Sequence, residues 1–195
     1  MLNIRNGGHR ELEKYYQLME MDFDSGELLS KLSIHRGLMN GAWEFVIVYD
    51  EESRMDMAYA LVCTKNLYGY ALLKYFAVLP WYRGQGVGVQ SMRLLNKRYI
   101  DRQGIVAELT EFEDEDKDRL KKLRKFFSRF GYVEIESDYR IGGETAHIMV
   151  KPIKGTEDIS PIAHRVMPDF YGRCLNELAV YKMIDIKPVK RVMRS

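Results

Sequence analysis

Three glycines and one arginine form the part of the sequence whose residue types and spacing best suit chemistry. Gly84, Gly86 and Gly88 alternate with other residues directly after Arg83. Because glycine lacks a Cβ, a turn built from it can adopt unusual dihedrals, and the N–H groups of the turn can approach an anion closely. The apolar pattern from Val87 predicts a helix that begins here, with its unpaired N–H groups and positive dipole end at the glycines. The stretch therefore indicates a polyphosphate site.

The spacing of these glycines excludes the two commonest nucleotide-binding loops. A Walker A loop requires a Lys directly after its last glycine, and no Lys follows at that distance. A Rossmann fingerprint reads G-x-G-x-x-G, whereas this turn reads G-x-G-x-G. Neither class of nucleotide-binding protein is indicated.

An apolar strand leads into the glycine turn. The segment 72–78 is rich in aromatic and apolar residues, which is typical of a strand covered on both faces. Pro80 ends the strand, because proline keeps the preceding residue extended and has no N–H for a ladder. Taken alone, G-x-G-x-G equally suits a turn that enters an ordinary helix. The strand, Val78, Pro80 and Arg83 in register favour the anion site over that alternative.

The stretch from Val78 to Gly88 resembles motif A of the GNAT superfamily of acyl-CoA-dependent N-acyltransferases. That motif is written V-x-P-x-x-[RQ]-G-x-G-x-[GA], and VLPWYRGQGVG fills every position. The resemblance implies that acetyl-CoA binds with its pyrophosphate on the backbone N–H groups of the turn. The residues concerned are Arg83, Gly84, Gln85, Gly86, Val87 and Gly88.

The resemblance also implies where the rest of acetyl-CoA lies. In this family the fourth and fifth strands separate, and the pantetheine arm binds between them as a substitute strand along the backbone of Phe76, Ala77 and Val78. The Val78 N–H then faces the thioester carbonyl as an oxyanion site with one donor. Phe127, on a later helix, is expected beside the sulfur of the cofactor.

A carboxylate on the fifth strand is the candidate for the catalytic base. Direct attack on a thioester requires a neutral amine, so a base or a water path must take the proton of the acceptor. By resemblance that role falls to Glu108, with Glu111 and Glu113 beyond it. Alternation places Glu108 on the face opposite Ile105 and Leu109. A surface or ion-paired carboxylate is an equally good interpretation.

One position departs from the family pattern. The helix before the sixth strand commonly ends in F-Y-x-x-x-G-F, in which the Tyr protonates the leaving thiolate, but this chain has Phe127 at that place. A phenyl ring has no proton to give. Ser128, Tyr132 or Tyr139 could substitute, although core packing is the better interpretation for the two tyrosines.

The remaining elements must position these residues. The patterns predict a mixed α/β sheet with the order β-α-α-β-β-β-α-β-α-β-β, which matches the GNAT fold. A second helix is expected to start at Asp24, with Glu27 completing a capping box. A final hairpin is expected from 132–136 and 145–150, around Gly142-Gly143.

The end of the chain is predicted to be an addition to that fold. We expect an acetyltransferase domain over 1–153 and a helical extension over 154–195. In the extension, Ser160 is a fair N-cap, Pro168 interrupts, and a longer helix starts at Asp169. Its apolar face must pack on the domain or on another subunit, for which a homodimer is one arrangement. Several basic residues follow: Lys182, Lys187, Lys190, Arg191 and Arg194.

Composition sets outer limits on the function. The chain has 195 residues, 46% of them hydrophobic, and a formal net charge of +2, so no global charge favours nucleic acid or an anionic membrane. Cys63 and Cys174 match no metal spacing, and buried thiols in a reducing cytoplasm are expected. No apolar run approaches the roughly 20 residues that span a bilayer. No metal site is predicted.

The resemblance and these limits together predict a cytoplasmic N-acetyltransferase. It would move an acetyl group from acetyl-CoA to a primary amine, on a small molecule or a peptide, by direct attack in a ternary complex. The alternative is a non-catalytic acyl-CoA-binding sensor or interaction module, suggested by Phe127 and by the extension. A third interpretation, an acetyltransferase that acts on RNA, is supported only by the basic residues at the end of the chain.

Overall fold

The computed structural model describes residues 1–110, 117–141, 143–155, 159, 161–174 and 184–187. Its strands are β1 (Leu2–Gly7), β2 (Trp43–Asp50), β3 (Asp56–Cys63), β4 (Ala71–Val78), β5 (Gly104–Thr110), β6 (Val133–Ile135), β7 (Asp138–Ile141), β8 (Glu144–Pro152) and β9 (Ile184–Lys187). Its helices are α1 (His9–Asp22), α2 (Lys31–Met39), α3 (Val87–Arg98), α4 (Lys117–Ser128) and α5 (Met167–Cys174). A short 3-10 turn covers Pro80–Tyr82, and a π-helical turn at Ile162–Val166 runs into α5.

A mixed sheet organises the described part of the chain. Its strand order is β1-β2-β3-β4-β5-β8-β7-β9, and β6 pairs with β8. Neighbouring strands are antiparallel except β4 and β5, which run parallel. Parallel neighbours need a crossover, which α3 supplies. The predicted mixed α/β sheet and its parallel pair are confirmed.

Helices cover both faces of the sheet. Helices α1, α2 and α5 pack on one face, in a core that includes Leu12, Ile34 and Phe170. Helices α3 and α4 pack on the other face, around Met92 and Leu120. Because both faces are covered, the alternation of each strand decides which of the two cores a side chain enters.

The second helix begins later than predicted. Asp24 does not cap it: its Oδ1 accepts the Gly26 N–H at 2.8 Å in a local turn. Ser30 is the N-cap, with its Oγ accepting the Ser33 N–H at 3.2 Å, and α2 starts at Lys31. Asp24 and Ser30 can each cap a helix through a side-chain oxygen, so the sequence is compatible with a helix that starts after either residue. The turn leaves Glu27 outside the helix.

The predicted final hairpin is divided among three strands. The short β6 and β7 both pair with β8, and Gly143 has a φ of +91° at the turn between β7 and β8. Gly142 lies outside the described residues. Strand β9, which was not predicted, pairs with β7. The break between β6 and β7 places Tyr139 in the sheet with its ring fully buried.

The described part of the predicted extension packs on the face of α1 and α2. Ile162, Met167 and Phe170 are buried in that core. Helix α5 begins at Met167, directly after the π-helical turn, so Pro168 lies where the helical segment changes from π to α geometry and does not end it. Other predicted features lie outside the described residues: Ser160, Lys182, Lys190, Arg191 and Arg194. The boundary at 153/154 and a homodimer stay predictions. No described helix has both the length and the apolar character needed to cross a membrane.

Candidate active site

Strands β4 and β5 separate after three paired residues. The parallel ladder runs from Ala71 opposite Ile105 to Leu73 opposite Ala107 and stops there. Beyond that point the strands diverge, and a cleft of about 550 Å³ opens between them. Its walls come from both strands, the end of α1, the turn after it, and α4. The lining residues are Met21, Asp22, Phe23, Glu27, Leu73, Lys74, Phe76, Ala77, Val78, Arg83, Gly88, Glu108, Leu109, Thr110, Arg119, Leu120, Leu123, Phe126 and Phe127.

A β-bulge lies where the two strands begin to separate. Strand β3 pairs Leu61 with Tyr75 and Val62 with Leu73, so Lys74 is the extra residue on β4. Alternation breaks at this point. The Lys74 Nζ lies 5.4 Å from the centre of the Tyr75 ring, so two consecutive side chains of the strand come together. No feature of the local sequence indicates this bulge.

The edge of β4 presents unpaired backbone groups to the cleft. Just past the strand, the Leu79 N–H donates to Met57 O on the β3 side at 2.9 Å. Because successive residues of a strand direct their N–H groups to opposite sides, Val78 and Phe76 direct theirs away from β3, toward the cleft. Of the predicted backbone set, Phe76 and Val78 therefore face the cleft, whereas Ala77 directs its backbone groups toward β3; all three residues are partly exposed.

The glycine turn has the backbone shape that an anion site requires. Gly84 and Gly86 have φ values of +76° and +77°, in the left-handed region that favours glycine. Gly86 is the N-cap of α3 and has no capping side chain, so the first N–H groups of the helix have no partner within it. A Cβ built on either glycine would have no neighbour within 4 Å, so the space above the turn is open. Gln85 donates to Trp81 O at 2.9 Å and closes the turn.

Arg83 joins the glycine turn to the other side of the cleft mouth. Its Nε donates to Val78 O at 2.9 Å, and its Nη2 lies 2.6 Å from Asp22 Oδ1 at the end of α1. The Tyr59 hydroxyl donates to the second Asp22 oxygen at 3.1 Å. The Arg83 side chain is 49% exposed, so its ion pair with Asp22 is accessible to solvent and contributes little stability.

The Glu108 side chain is buried, and both of its carboxylate oxygens accept hydrogen bonds. Lys74 Nζ lies 2.7 Å from Glu108 Oε2, and both side chains are 2% exposed. The Tyr139 hydroxyl donates to Oε1 at 2.8 Å, and the Tyr171 hydroxyl lies 2.8 and 2.6 Å from the two oxygens. Burial and the adjacent carboxylate raise the pKa of both tyrosines well above 10.0, so both stay donors. Of the two interpretations of Glu108, the geometry favours the ion-paired carboxylate, because Lys74 and two tyrosine hydroxyls already contact its two oxygens.

Glu27 is a cleft carboxylate that the sequence reasoning missed. It lies on the turn between α1 and α2, and burial raises its pKa above the ordinary 4.5 although Lys74 and a hydrogen bond with Thr110 lower it. The Tyr75 hydroxyl donates to its carbonyl oxygen at 2.6 Å and so fixes the turn. The predicted capping role concealed Glu27, because Asp24 three residues before it matched a helix start.

Phe127 lines the cleft, and none of the three proposed substitute hydroxyls does. Tyr132 donates inward to Asn96 Oδ1 at 3.0 Å, and Tyr139 donates to Glu108. Ser128 is exposed on α4, away from the cleft lining. Among the described lining residues, Thr110 has the only hydroxyl. Glu111 and the carboxylates at 113–116 lie outside the described residues, and no described cluster of three or more His, Cys, Asp or Glu could hold a metal.

Comparison with known proteins shows the fold. No protein-family model matches the chain, and no curated protein matches it in sequence. Solved structures do match. A Bacteroides thetaiotaomicron protein described as a GNAT-family acetyltransferase has a TM-score of 0.68 at 17% identity, covering 87% of this chain and 98% of that one. The ribosomal-protein-S18-alanine N-acetyltransferase of Escherichia coli has a TM-score of 0.55 at 19% identity, covering 78% and 94%.

A third structure is a spermidine N-acetyltransferase variant from Vibrio cholerae. It has a TM-score of 0.59 at 13% identity and covers 82% of this chain and 98% of that one. Nearly the whole length of each of these three proteins is thus matched. At these identities the likeness concerns the fold, and it agrees with the motif from Val78 to Gly88. The chain has the fold of the GNAT N-acetyltransferases.

Proposed function

We propose that this chain is an N-acetyltransferase that moves the acetyl group of acetyl-CoA to a primary amine. The observation that carries the proposal is the fork between β4 and β5. One wall of the fork is an unpaired strand edge, and that edge ends at the open glycine turn at the start of α3. A strand-like arm with a pyrophosphate at one end matches both features.

The chain's own backbone supplies most of the proposed acetyl-CoA site. The amides of the pantetheine arm pair with the edge of β4 at Phe76 and Val78, and the N–H groups from Gly84 to Gly88 face the pyrophosphate. The Arg83 N–H is not among them, because it donates to Pro80 O at 3.3 Å. When bound, acetyl-CoA supplies an activated acyl group with a good leaving group. The Val78 N–H is aimed into the cleft, where it can stabilise the oxyanion.

Glu27 replaces Glu108 as our candidate for the base. The amine nitrogen forms a bond to the thioester carbonyl carbon, its proton passes to Glu27 directly or through a water, and the carbon–sulfur bond breaks to release the thiolate. Glu27 is only partly buried and lines the cleft, and its raised pKa makes it a better proton acceptor than an ordinary carboxylate. Glu108 instead keeps Lys74 in place on the cleft floor.

The acceptor is proposed to be a primary amine on a small molecule or a peptide. The fold neighbours named above act, by their names, on spermidine and on the alanine of a ribosomal protein, so the fold itself admits both classes. Acceptor entry from the side of α1 suits this chain, because Met21 and Phe23 form an apolar rim beside Glu27. Met21 is 80% exposed at that rim.

A non-catalytic acyl-CoA-binding module is the second candidate. Two observations favour it. Phe127 has no hydroxyl to donate a proton at the position of the usual acid, and the Glu108 carboxylate is already held by hydrogen bonds. Both candidates predict acetyl-CoA binding. Only the enzyme predicts release of the free CoA thiol in the presence of an amine.

Thiol release from acetyl-CoA against pooled amines tests the proposal. The pools are small primary amines, polyamines and peptides with free N-termini. We expect release with one pool from the wild type, and a loss of about 10²-fold in Glu27→Gln. Glu13→Gln is the matched control, because Glu13 is an exposed carboxylate of α1 that does not line the cleft. Tight acetyl-CoA binding without release from any pool would overturn the enzyme in favour of the binding module.

A further inference from the structure

A series of side-chain contacts connects helix α5 to the side of the cleft on which Glu27 lies. It begins at Tyr171 on α5, whose hydroxyl contacts both oxygens of Glu108 on β5. It continues through the ion pair with Lys74 on β4. It ends at Tyr75, beside Lys74, whose hydroxyl donates to Glu27 O and accepts the Leu29 N–H at 2.8 Å.

All the side chains in this series of contacts are buried. Tyr75, Tyr139 and Tyr171 are each 2% exposed or less, and the Lys74 and Glu108 side chains are buried as well. The Lys74 Nζ lies 5.4 Å from the centres of the Tyr75 and Tyr171 rings, so its charge rests between two aromatic faces and one carboxylate. A buried ion pair holds its geometry only while its remaining hydrogen bonds are satisfied.

The donors of Glu108 come from three separate parts of the chain. Lys74 belongs to the strand that forms the cleft, and Tyr139 belongs to β7, whereas Tyr171 comes from the segment predicted as an extension of the fold. Tyr171 alone reaches both carboxylate oxygens. The C-terminal segment thus helps to build the cleft floor.

We propose that Tyr171 is a positioning residue of the acetyl-transfer site: its hydroxyl fixes Glu108, which fixes Lys74 at the bulge and thereby the floor beneath Glu27. The proposal rests on the proposed function. It deepens that function by assigning a part in it to α5, which does not line the cleft itself.

Tyr171→Phe tests the proposal, because it keeps the ring and removes only the hydroxyl. Hydrogen bonds to a charged group are worth enough to change an equilibrium by roughly tenfold or more. We expect kcat for the amine to fall about tenfold, with the Kd for acetyl-CoA unchanged, since the glycine turn is not touched. Hydrogen exchange should increase in peptides that cover 71–78 and 104–110.

The matched control is Tyr99→Phe. Tyr99 is also buried, and its hydroxyl also donates to a carboxylate, Glu44, at 3.0 Å, but neither residue lines the cleft. This variant should keep kcat and the exchange pattern of the fork. Tyr139→Phe removes a donor that contacts Oε1 alone and leaves the Tyr171 hydroxyl in contact with both oxygens, so it should give a smaller effect than Tyr171→Phe.

All variants are measured at a temperature at which thermal melts show them to be folded. Wild-type kcat and wild-type exchange in Tyr171→Phe would overturn the positioning role and leave the proposed function standing. If the wild type transfers no acetyl group, the proposed function fails. In that case exchange at the fork still tests the role of Tyr171, since it requires no turnover.

Discussion

Lys74 Nζ and Glu108 Oε2 lie 2.7 Å apart at the point where β4 and β5 separate, and each side chain is 2% exposed. The Glu108 residue as a whole is only partly buried, so its exposed part is the backbone along the open fork. The pair therefore places two opposite, almost fully buried charges in the lining of the cleft. Such a pair is stable only while both partners are present.

Single substitutions in this pair should destabilise the protein far more than the double one. Lys74→Met leaves the Glu108 carboxylate buried without its cation, and Glu108→Gln leaves the Lys74 ammonium without its anion. Each should lower the free energy of unfolding by about 3–5 kcal/mol, and the double variant should recover most of that loss. Urea denaturation measures this. Glu13→Gln, in a pair whose side chains are 44% and 53% exposed, should change it by less than about 1 kcal/mol. Strictly additive losses would contradict the coupling.

Glu27→Gln should lower activity and raise stability at neutral pH. The folded-state pKa of Glu27 is raised, so its ionisation opposes folding increasingly as pH rises from 4.5 through the folded value, and fully above it. Removing the charge should therefore raise the Tm at pH 7, and the gain should vanish in acid below 4.5. Thermal melts across pH measure the difference. A Tm at pH 7 below that of the wild type would argue that ionised Glu27 is stabilised by its neighbours.

The same titration predicts the acid limb of the activity. If Glu27 accepts the amine proton, kcat/KM should be present above its pKa and fall as pH drops through it, with the midpoint above 4.5 because burial raises that pKa. The limb should disappear in Glu27→Gln along with most of the rate. An unchanged acid limb in this variant would assign the proton to another group.

The sequence could predict the strand edge and the glycine turn because the relevant information is local. From Val78 to Gly88 the end of the strand, the proline, the arginine and the glycines stand in one continuous stretch, and the shape of the turn depends mainly on their own backbone conformations. The acceptor side depends on contacts between distant segments. Tyr171 meets Glu108 across 63 residues, and the bulge at Lys74 breaks an alternation that strand reasoning has to assume.

Gly86→Asp should abolish tight binding of acetyl-CoA without disturbing the fold. Gly86 has a φ of +77°, which Asp and Asn tolerate better than other residues, and a Cβ there meets no atom within 4 Å. The carboxylate would face the pyrophosphate, so the affinity should fall by well over tenfold, or more than ~1.4 kcal/mol. Calorimetric titration measures it. Gly86→Asn has the same shape without the charge and should lose much less. Equal affinity in folded Gly86→Asp and wild type would remove the pyrophosphate from this turn.

The two cysteines should behave as unreactive thiols in the folded protein. Cys63 Sγ and Cys174 Sγ lie 2.6 Å apart, both are free, and both are buried. The contact with Cys63, together with burial, raises the pKa of Cys174 above its ordinary 9.0, so the reactive thiolate is scarce. Iodoacetamide at pH 7.5 should label neither thiol until denaturant is added, and both afterwards. An intact mass two hydrogens lower in protein purified without reductant would show a disulfide instead.

Phe127→Tyr should accelerate the reaction if an absent acid limits it. The Phe127 ring lines the cleft, is 5% exposed and packs 5.1 Å from the Tyr132 ring, so the new hydroxyl would point toward the cleft or cost ~1–3 kcal/mol if buried unpaired. A well-placed acid is worth ~10²–10⁴-fold, most visibly below neutral pH, where thiolate departs least readily. Phe126→Tyr, on the neighbouring cleft-lining ring, should not raise kcat. A folded Phe127→Tyr that binds acetyl-CoA normally and turns over no faster from pH 6 to 9 would show that thiolate release is already assisted.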